Sequence, residues 1–222
     1  MPSYLESLEN AFYSHSNQEI AQGQKAYMKN QFEFLGLKSP IRRPLQREFL
    51  IKMALPPKSE LEKIIKTLWE KPEREFQYFA QELMDKYQKE MTREDIYLLE
   101  YMVLTKSWWD TVDFIASHLL GAYFKKFPDE RGPMVEKWLA SGNIWLQRCF
   151  LLFQFNYKES LNTDLLESII QPLLGSKEFF INKAIGWILP QYSKTSPQWV
   201  REFVKNHPLE NLSEREAMRL IK

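Results

Sequence analysis

Lys106-Ser107-Trp108-Trp109-Asp110-Thr111-Val112-Asp113 opens a predicted helix, and aromatic residues mark similar helix openings elsewhere in the chain. These landmarks, Phe76, Trp109, Trp145 and Phe180, recur at intervals of roughly 33–36 residues. One further helix is predicted between each pair of landmarks. A period of this length, with two helices in each unit, is typical of a helical repeat.

The repeat predicts the fold class. Only seven glycines are present, and no stretch alternates apolar and polar residues as a strand does. We therefore expect an all-α protein of HEAT-like or armadillo-type repeats, curved into one superhelical solenoid over residues 1–222. The second helix of each pair is expected to line the concave side, with Trp109, Asp113, Arg148 and Trp187 on these second helices.

Two serine–glutamate pairs resemble helix starts. Ser59 precedes Glu62 by three residues, and Ser213 precedes Glu216 by the same spacing. In a capping box each side chain of such a pair accepts a hydrogen bond from the other residue's free backbone N–H. The pattern therefore predicts that Ser59 and Ser213 each cap a helix.

The composition excludes several classes of protein. A single cysteine, Cys149, cannot form an internal disulfide, and the N-terminal residues lack the pattern of a secretory signal. No apolar run reaches membrane-spanning length, so we expect a cytoplasmic protein that does not contact membranes.

With three scattered histidines and no metal-spaced cluster, neither a metal nor a cofactor is expected. The net charge of +1 neither demands nor excludes a nucleic-acid partner.

The opening segment also carries candidate chemistry. On a helix, Trp109 and Asp113 are four residues apart and share a face. An indole face and a carboxylate both attract positive charge, so the pair is suited to a cationic ligand. The alternative is structural: tryptophan in the core, Asp113 as a helix cap or lysine partner, and Arg148 as an ion-pair partner between repeats. Cys149 is expected to be an inert buried thiol.

Several blocks resemble the AlkD-type DNA alkylation-repair glycosylases, from about residue 20 to the end of the chain. The matching segments are Tyr27 to Asn30, Phe34 to Gly36, Pro40 to Arg43, Lys106 to Asp113, Asn143 to Arg148 and Ser176 to Trp187. The resemblance implies HEAT-like repeats that wrap duplex DNA and hydrolyse the N-glycosidic bond of cationic purines such as N3-methyladenine and N7-methylguanine. It also implies that the damaged base is not drawn into a pocket.

The resemblance assigns roles to individual residues. It implies that Trp109, Asp113 and Trp187 are catalytic and that Arg148 grips the DNA backbone near the lesion. Tyr27, Lys29 and Arg43 are expected on the DNA-facing surface. The protein would then act as a monomer at the nucleoid of a bacterial-type cytosol, in base excision repair.

The chain departs from the family pattern at Pro190. Members usually carry a basic residue three positions after the second active-site tryptophan, and Pro190 occupies that position. A proline there removes a phosphate contact and is expected to kink the helix just past Trp187. The alternative function is a non-catalytic HEAT-type module that binds DNA or protein through the same face.

Overall fold

A computed structural model describes residues 3–221. Within that range the chain is helical and has no strand; its β-type pairing is one isolated bridge between Glu33 and Glu73. The predicted all-α class is confirmed. The chain divides into two compact units, the first ending at Met91 and the second starting at Thr92. The expectation of a single repeat domain over residues 1–222 remains a prediction.

The described part of the first unit, residues 3–91, holds five α-helices. They are α1 (Tyr4–Tyr13), α2 (Gln18–Tyr27), α3 (Ser39–Arg47), α4 (Lys58–Glu70) and α5 (Arg74–Asp85). Its core is aromatic: the Phe12 ring stacks on Phe76 with centroids 5.4 Å apart, and Phe79 packs edge-on against Phe12 and Phe49. The landmark Phe76 is therefore a core residue of α5.

A buried carboxylate fixes the loop that precedes α3. Glu75 accepts hydrogen bonds from the backbone N–H groups of Leu35, Gly36 and Leu37, each at 3.0 Å. Gly36 has a φ of 85° and lies against the Asn17 carbonyl, where a Cβ atom would meet the oxygen at 2.1 Å. A side chain does not fit there, so glycine is required for this turn.

The second unit holds nine α-helices within the described residues. They are α6 (Asp95–Leu104), α7 (Trp109–Phe114), α8 (Gly121–Lys126), α9 (Arg131–Ala140), α10 (Ile144–Leu152), α11 (Thr163–Ile170), α12 (Phe179–Ser193), α13 (Pro197–Asn206) and α14 (Asn211–Met218). The landmarks Trp109, Trp145 and Phe180 lie in the first two residues of α7, α10 and α12. The predicted helix openings are confirmed at these three positions.

The alternate helices of the second unit pack side by side. α10 contacts both α7 and α12, and α12 contacts α14. Because α7 runs without a break through a π-helical segment into α8, a single helix separates each member of this row from the next: α9 precedes α10, α11 precedes α12, and α13 precedes α14. This is the paired-helix repeat that the spacing of the landmarks predicts.

A π-helical segment, Ile115–Leu120, joins α7 to α8. The N–H of Gly121 bonds to the carbonyl of Ala116, five residues earlier, which gives the wider turn of a π-helix. The Ser117 hydroxyl donates to the main-chain carbonyl of Asp113 at 2.7 Å. Such widened turns are frequent at functional sites, and this one follows Asp113 directly.

Both predicted capping boxes are wrong. α4 begins at Lys58, one residue before Ser59, and its N-cap residue is Pro57. α14 begins at Asn211, so Ser213 lies inside its first turn. There the buried Ser213 hydroxyl donates to the carbonyl of Asn182 on α12 at 2.9 Å. The local sequence pattern assigns the Ser213 hydroxyl to a helix cap, but the structure uses it in a contact between two helices.

Pro190 lies within α12. The helix continues for three residues beyond it, to Ser193, and the Ser193 hydroxyl donates to the Pro190 carbonyl at 2.8 Å. Pro190 is buried. Because proline has no N–H, the carbonyl of Gly186, four residues earlier, lacks its usual helical donor. The sequence predicts a proline-induced distortion at this turn, and the structure shows that it does not end the helix.

Candidate active site

Asp113 and Arg148 form a buried ion pair between neighbouring helices. Arg148 Nε donates to Asp113 Oδ1 at 2.7 Å, and Arg148 Nη2 donates to Asp113 Oδ2 at 2.9 Å. The pair joins α7 to α10, which are adjacent in the row. Two parallel bonds of this kind fix both the position and the plane of the carboxylate.

The other contacts of Arg148 reach α12. Its Nη1 donates to the main-chain carbonyl of Phe180, and its guanidinium lies 5.5 Å from the Trp187 ring centroid and 5.9 Å from that of Phe180. The Arg148 guanidinium on α10 therefore contacts both Asp113 on α7 and Trp187 on α12. This is the ion-pair contact that the structural alternative anticipates. The predicted grip of Arg148 on the DNA backbone stays a prediction.

The ion pair is open on the carboxylate side. The Arg148 side chain is 2% exposed, whereas that of Asp113 is 18% exposed. A bidentate guanidinium occupies one lone pair on each carboxylate oxygen and leaves the others available. The solvent side of the pair therefore presents negative charge.

Burial and charge act in opposite directions on Asp113. Burial raises the pKa of Asp113 above its usual value, the hydrogen bonds and charge of Arg148 lower that pKa, and the Asp110 charge raises it. The net shift is upward. The two short bonds to a permanently charged guanidinium favour the ionised carboxylate, which must otherwise bear the cost of desolvation.

The indoles of the predicted site differ in exposure. Trp187 is 40% exposed, while Trp109, one turn before Asp113, is half-buried. The structure thus brings Asp113, Arg148 and Trp187 together and places Trp109 on the same helix as the carboxylate. An exposed tryptophan beside a buried ion pair is more typical of a ligand-binding site than of a hydrophobic core.

Trp108 belongs to a separate aromatic cluster. Its ring lies 5.7 Å from Trp145 and 5.3 Å from Phe180, and Trp145 lies 4.9 Å from Phe180. These contacts give Trp108 a packing role, although the side chain is half-buried rather than fully enclosed. The cluster fixes the start of α12, where the Phe180 carbonyl accepts the bond from Arg148.

The three other predicted DNA-binding residues lie in the first unit. Tyr27 and Lys29 are exposed on either side of the buried Met28, at the end of α2, and Arg43 is exposed on α3. Lys29 has a φ of 57°, which is uncommon for a residue other than glycine and marks a tight turn. Their role towards DNA stays a prediction.

Sequence reasoning missed part of the site. The Phe180 carbonyl holds Arg148, and a π-helical turn follows soon after Asp113; neither feature has a sequence motif of its own. Phe180 stands out in the sequence as a repeat landmark and within the family-like segment, and neither observation indicates the role of its carbonyl.

Cys149, next to Arg148, is fully buried, and burial raises the pKa of its thiol well above the usual value. It is therefore an unreactive core thiol at neutral pH.

The profile of a family described as DNA alkylation repair enzyme matches residues 8–221, nearly the whole chain. The chain belongs to the DNA alkylation repair enzyme family. A solved structure described as a predicted DNA alkylation repair enzyme from Enterococcus faecalis is similar to it, with 36% identity and a TM-score of 0.86. The similarity covers 93% of this chain and 96% of that one. No curated protein gave a significant match.

Membership of the DNA alkylation repair enzyme family supports a role in the repair of alkylated DNA, and hence a DNA substrate. Within residues 3–221, none of the helices has the length and apolar composition that spanning a membrane requires. No group of three or more His, Cys, Asp and Glu side chains in residues 3–221 is placed to hold a metal ion.

Proposed function

We propose that this member of the family is a DNA glycosylase that hydrolyses the N-glycosidic bond of cationic alkylated purines in duplex DNA, as the first step of base excision repair. N3-methyladenine and N7-methylguanine are the proposed substrates. The observation that carries the proposal is a carboxylate, Asp113, fixed by a buried arginine beside the exposed indole of Trp187.

The chemistry of the substrate explains why so few groups suffice. An alkylated purine already carries a positive charge, so it leaves as a neutral base and needs no general acid to protonate it. As the bond breaks, positive charge develops on the deoxyribose, as in glycoside hydrolysis. The main requirement is a fixed negative group beside the sugar.

Asp113 is suited to that requirement. Its outward side is negative, and Arg148 holds its plane in place before the substrate arrives. A preorganised charge stabilises the transition state without reorganising during the reaction. The free lone pairs of the carboxylate can also orient the attacking water or accept its proton.

We assign the two indoles a supporting role. Trp109 and Trp187 would attract the cationic sugar through their π faces, each contributing roughly 1–2 kcal/mol where water is excluded. The exposure of Trp187 leaves part of its surface available for that contact. The Arg148 guanidinium already lies near the same ring, so the bound cation must use another part of the indole surface.

Arg148 then acts as a positioning residue, through Asp113. Its side chain is buried and directs its donors to Asp113 and the Phe180 carbonyl. We further propose that the exposed residues Tyr27, Lys29 and Arg43 contact the DNA backbone. As single contacts these would affect affinity rather than the rate of bond cleavage.

The test is release of free N7-methylguanine from methylated duplex DNA under single-turnover conditions. Asp113→Asn keeps the shape of the side chain and removes its charge, so we expect release to slow by about 100- to 1000-fold. Asp164→Asn, at an exposed carboxylate on α11, is the matched control and should behave as wild type.

Two results would contradict the proposal. Equal release by wild type and Asp113→Asn would remove the assigned role of the carboxylate. Intact DNA binding by wild type with no release would favour the alternative, a non-catalytic HEAT-type DNA-binding module.

A further inference from the structure

Three cationic side chains surround one carboxylate where α14 packs on α12. Lys183 Nζ lies 3.5 Å from Glu216 Oε1, Arg215 Nη2 lies 3.9 Å from the same oxygen, and Arg219 Nη1 lies 3.6 Å from Glu216 Oε2. We call these four residues the Glu216 cluster. Three cations against one carboxylate leave a surplus of positive charge at this point of the surface.

The two arginines of the cluster are available to an external partner. Their side chains are 76% and 65% exposed for Arg215 and Arg219. Both contacts exceed the 2.7–2.9 Å of a charge-assisted hydrogen bond, so Glu216 does not hold either guanidinium firmly. Exposed pairs of this kind contribute little to stability, which leaves fold stabilisation as a weak reason for three cations at one site.

The cluster adjoins the candidate active site. Lys183 and Trp187 are four residues apart on α12 and share a face of that helix. Between them, Gly186 lets α14 approach closely: a Cβ atom at Gly186 would lie 2.9 Å from the Cβ atom of Glu216. Trp187 therefore lies within about a helical turn of Lys183, and next to the residue of α12 on which Glu216 packs.

We infer that Lys183, Arg215 and Arg219 bind the phosphate backbone of DNA beside the lesion. The inference rests on the proposed function, because it takes Trp187 as part of the site that meets the damaged nucleotide. Lys183, four residues before Trp187 on α12, brings the positive charge of the cluster next to that indole. Guanidinium groups suit phosphate because they donate two parallel hydrogen bonds.

The experiment measures binding of a short, fluorescein-labelled, unmodified DNA duplex at several salt concentrations. Each cation that contacts a phosphate contributes nearly one to the slope of log affinity against log salt. For Arg215→Ala/Arg219→Ala we expect a slope lower by about 2 and a dissociation constant at least about tenfold higher at low salt. Arg215→Lys/Arg219→Lys keeps the charge and should keep most of the slope.

Two further variants test the site rather than total charge. Lys205→Ala removes an exposed cation from α13 and should leave the slope unchanged. Glu216→Gln preserves the packing against Gly186 and removes the only carboxylate of the cluster, so binding should become tighter. A loss of affinity in Lys205→Ala equal to that of the double arginine variant would overturn the inference, as would wild-type binding by the double variant.

The readout also separates this inference from the proposed function. Binding to unmodified DNA does not require the glycosylase reaction. If wild type binds DNA with the predicted dependence on Arg215 and Arg219 but releases no N7-methylguanine, the surface stands and the proposed reaction fails. If the reaction occurs and the double variant binds DNA as wild type does, the inferred phosphate contacts are wrong and the proposed reaction still holds.

Discussion

The second unit contains two groups of opposite charges that differ in almost every physical respect. In the Asp113–Arg148 pair the contacts are 2.7 and 2.9 Å and the guanidinium is buried. In the Glu216 cluster the contacts are 3.5–3.9 Å and the arginines face solvent. Burial strengthens an ion pair and makes its loss costly, while exposure weakens it through solvent screening.

The difference separates two tasks. A buried bidentate pair has its donors committed, so it fixes a geometry and leaves only its open, negative end for chemistry. A loose exposed cluster has uncommitted donors, so it can exchange its internal carboxylate for an external anion. We therefore propose that Arg148 positions the carboxylate of the candidate site, and that Arg215 and Arg219 contact the DNA backbone.

The largest expected effect is on stability, from Arg148→Ala. The variant leaves the Asp113 carboxylate desolvated and unpaired, which we expect to cost about 3 kcal/mol of unfolding free energy. Urea titration followed by tryptophan fluorescence measures it, because six of the seven tryptophans (residues 108, 109, 138, 145, 187 and 199) lie in the second unit.

A double variant is the control for Arg148→Ala. Asp113→Asn/Arg148→Met removes both charges and retains much of the volume, so it should recover over half of the lost stability. An Arg148→Ala protein as stable as wild type would show that the pair is not energetically buried, and the contrast with the Glu216 cluster would disappear.

A smaller effect is expected at Gly186, the residue of α12 on which Glu216 packs. Gly186→Ala places a methyl group 2.9 Å from the Cβ atom of Glu216. Helix propensity gains up to about 1 kcal/mol, but the overpacking costs about 1–3 kcal/mol. We expect a net loss of roughly 1 kcal/mol in urea unfolding.

The matched control is Gly132→Ala on α9, where nothing lies within 4 Å of the added Cβ atom. That variant should be neutral or slightly stabilised. If Gly186→Ala were stabilised to the same extent, the close approach of α14 to α12 would not be a constraint.

The smallest expected effect is that of Arg215→Ala, which tests the exposed Glu216 cluster in the same way as Arg148→Ala tests the buried pair. Because the side chain is exposed and its ion pair is long, the free energy of unfolding should change by no more than about 0.5 kcal/mol. The same urea titration checks this. A loss as large as that of Arg148→Ala would mean that the cluster is structural and that its cations are not available to DNA.

The sequence predicted the helices, their repeat and most residues of the candidate site. These follow from spacing: aromatic landmarks repeat along the chain, and positions four apart share a helical face. The sequence offered an ion pair between repeats as one alternative for Arg148 but did not name Asp113 as its partner, because a separation of 35 residues carries no geometric information until the helices are packed.

The errors have a common cause. Ser213 matches a local capping pattern, yet its hydroxyl bonds to Asn182 on another helix. The Glu216 cluster likewise depends on contacts between α12 and α14, and Glu216 was read only as half of that cap. Local patterns predict helices well, but partners of polar side chains across helices are set by packing.

The most direct test of the central claim is the pH dependence of single-turnover N7-methylguanine release, corrected for release without enzyme. If ionised Asp113 stabilises the developing cation, the wild-type rate falls as pH drops through its folded-state pKa. Burial raises that pKa, so the fall begins at a higher pH than for an ordinary aspartate. Asp113→Asn should be slow and flat across the same range. A wild-type profile that is flat, or that Asp113→Asn reproduces in both rate and shape, would contradict the account.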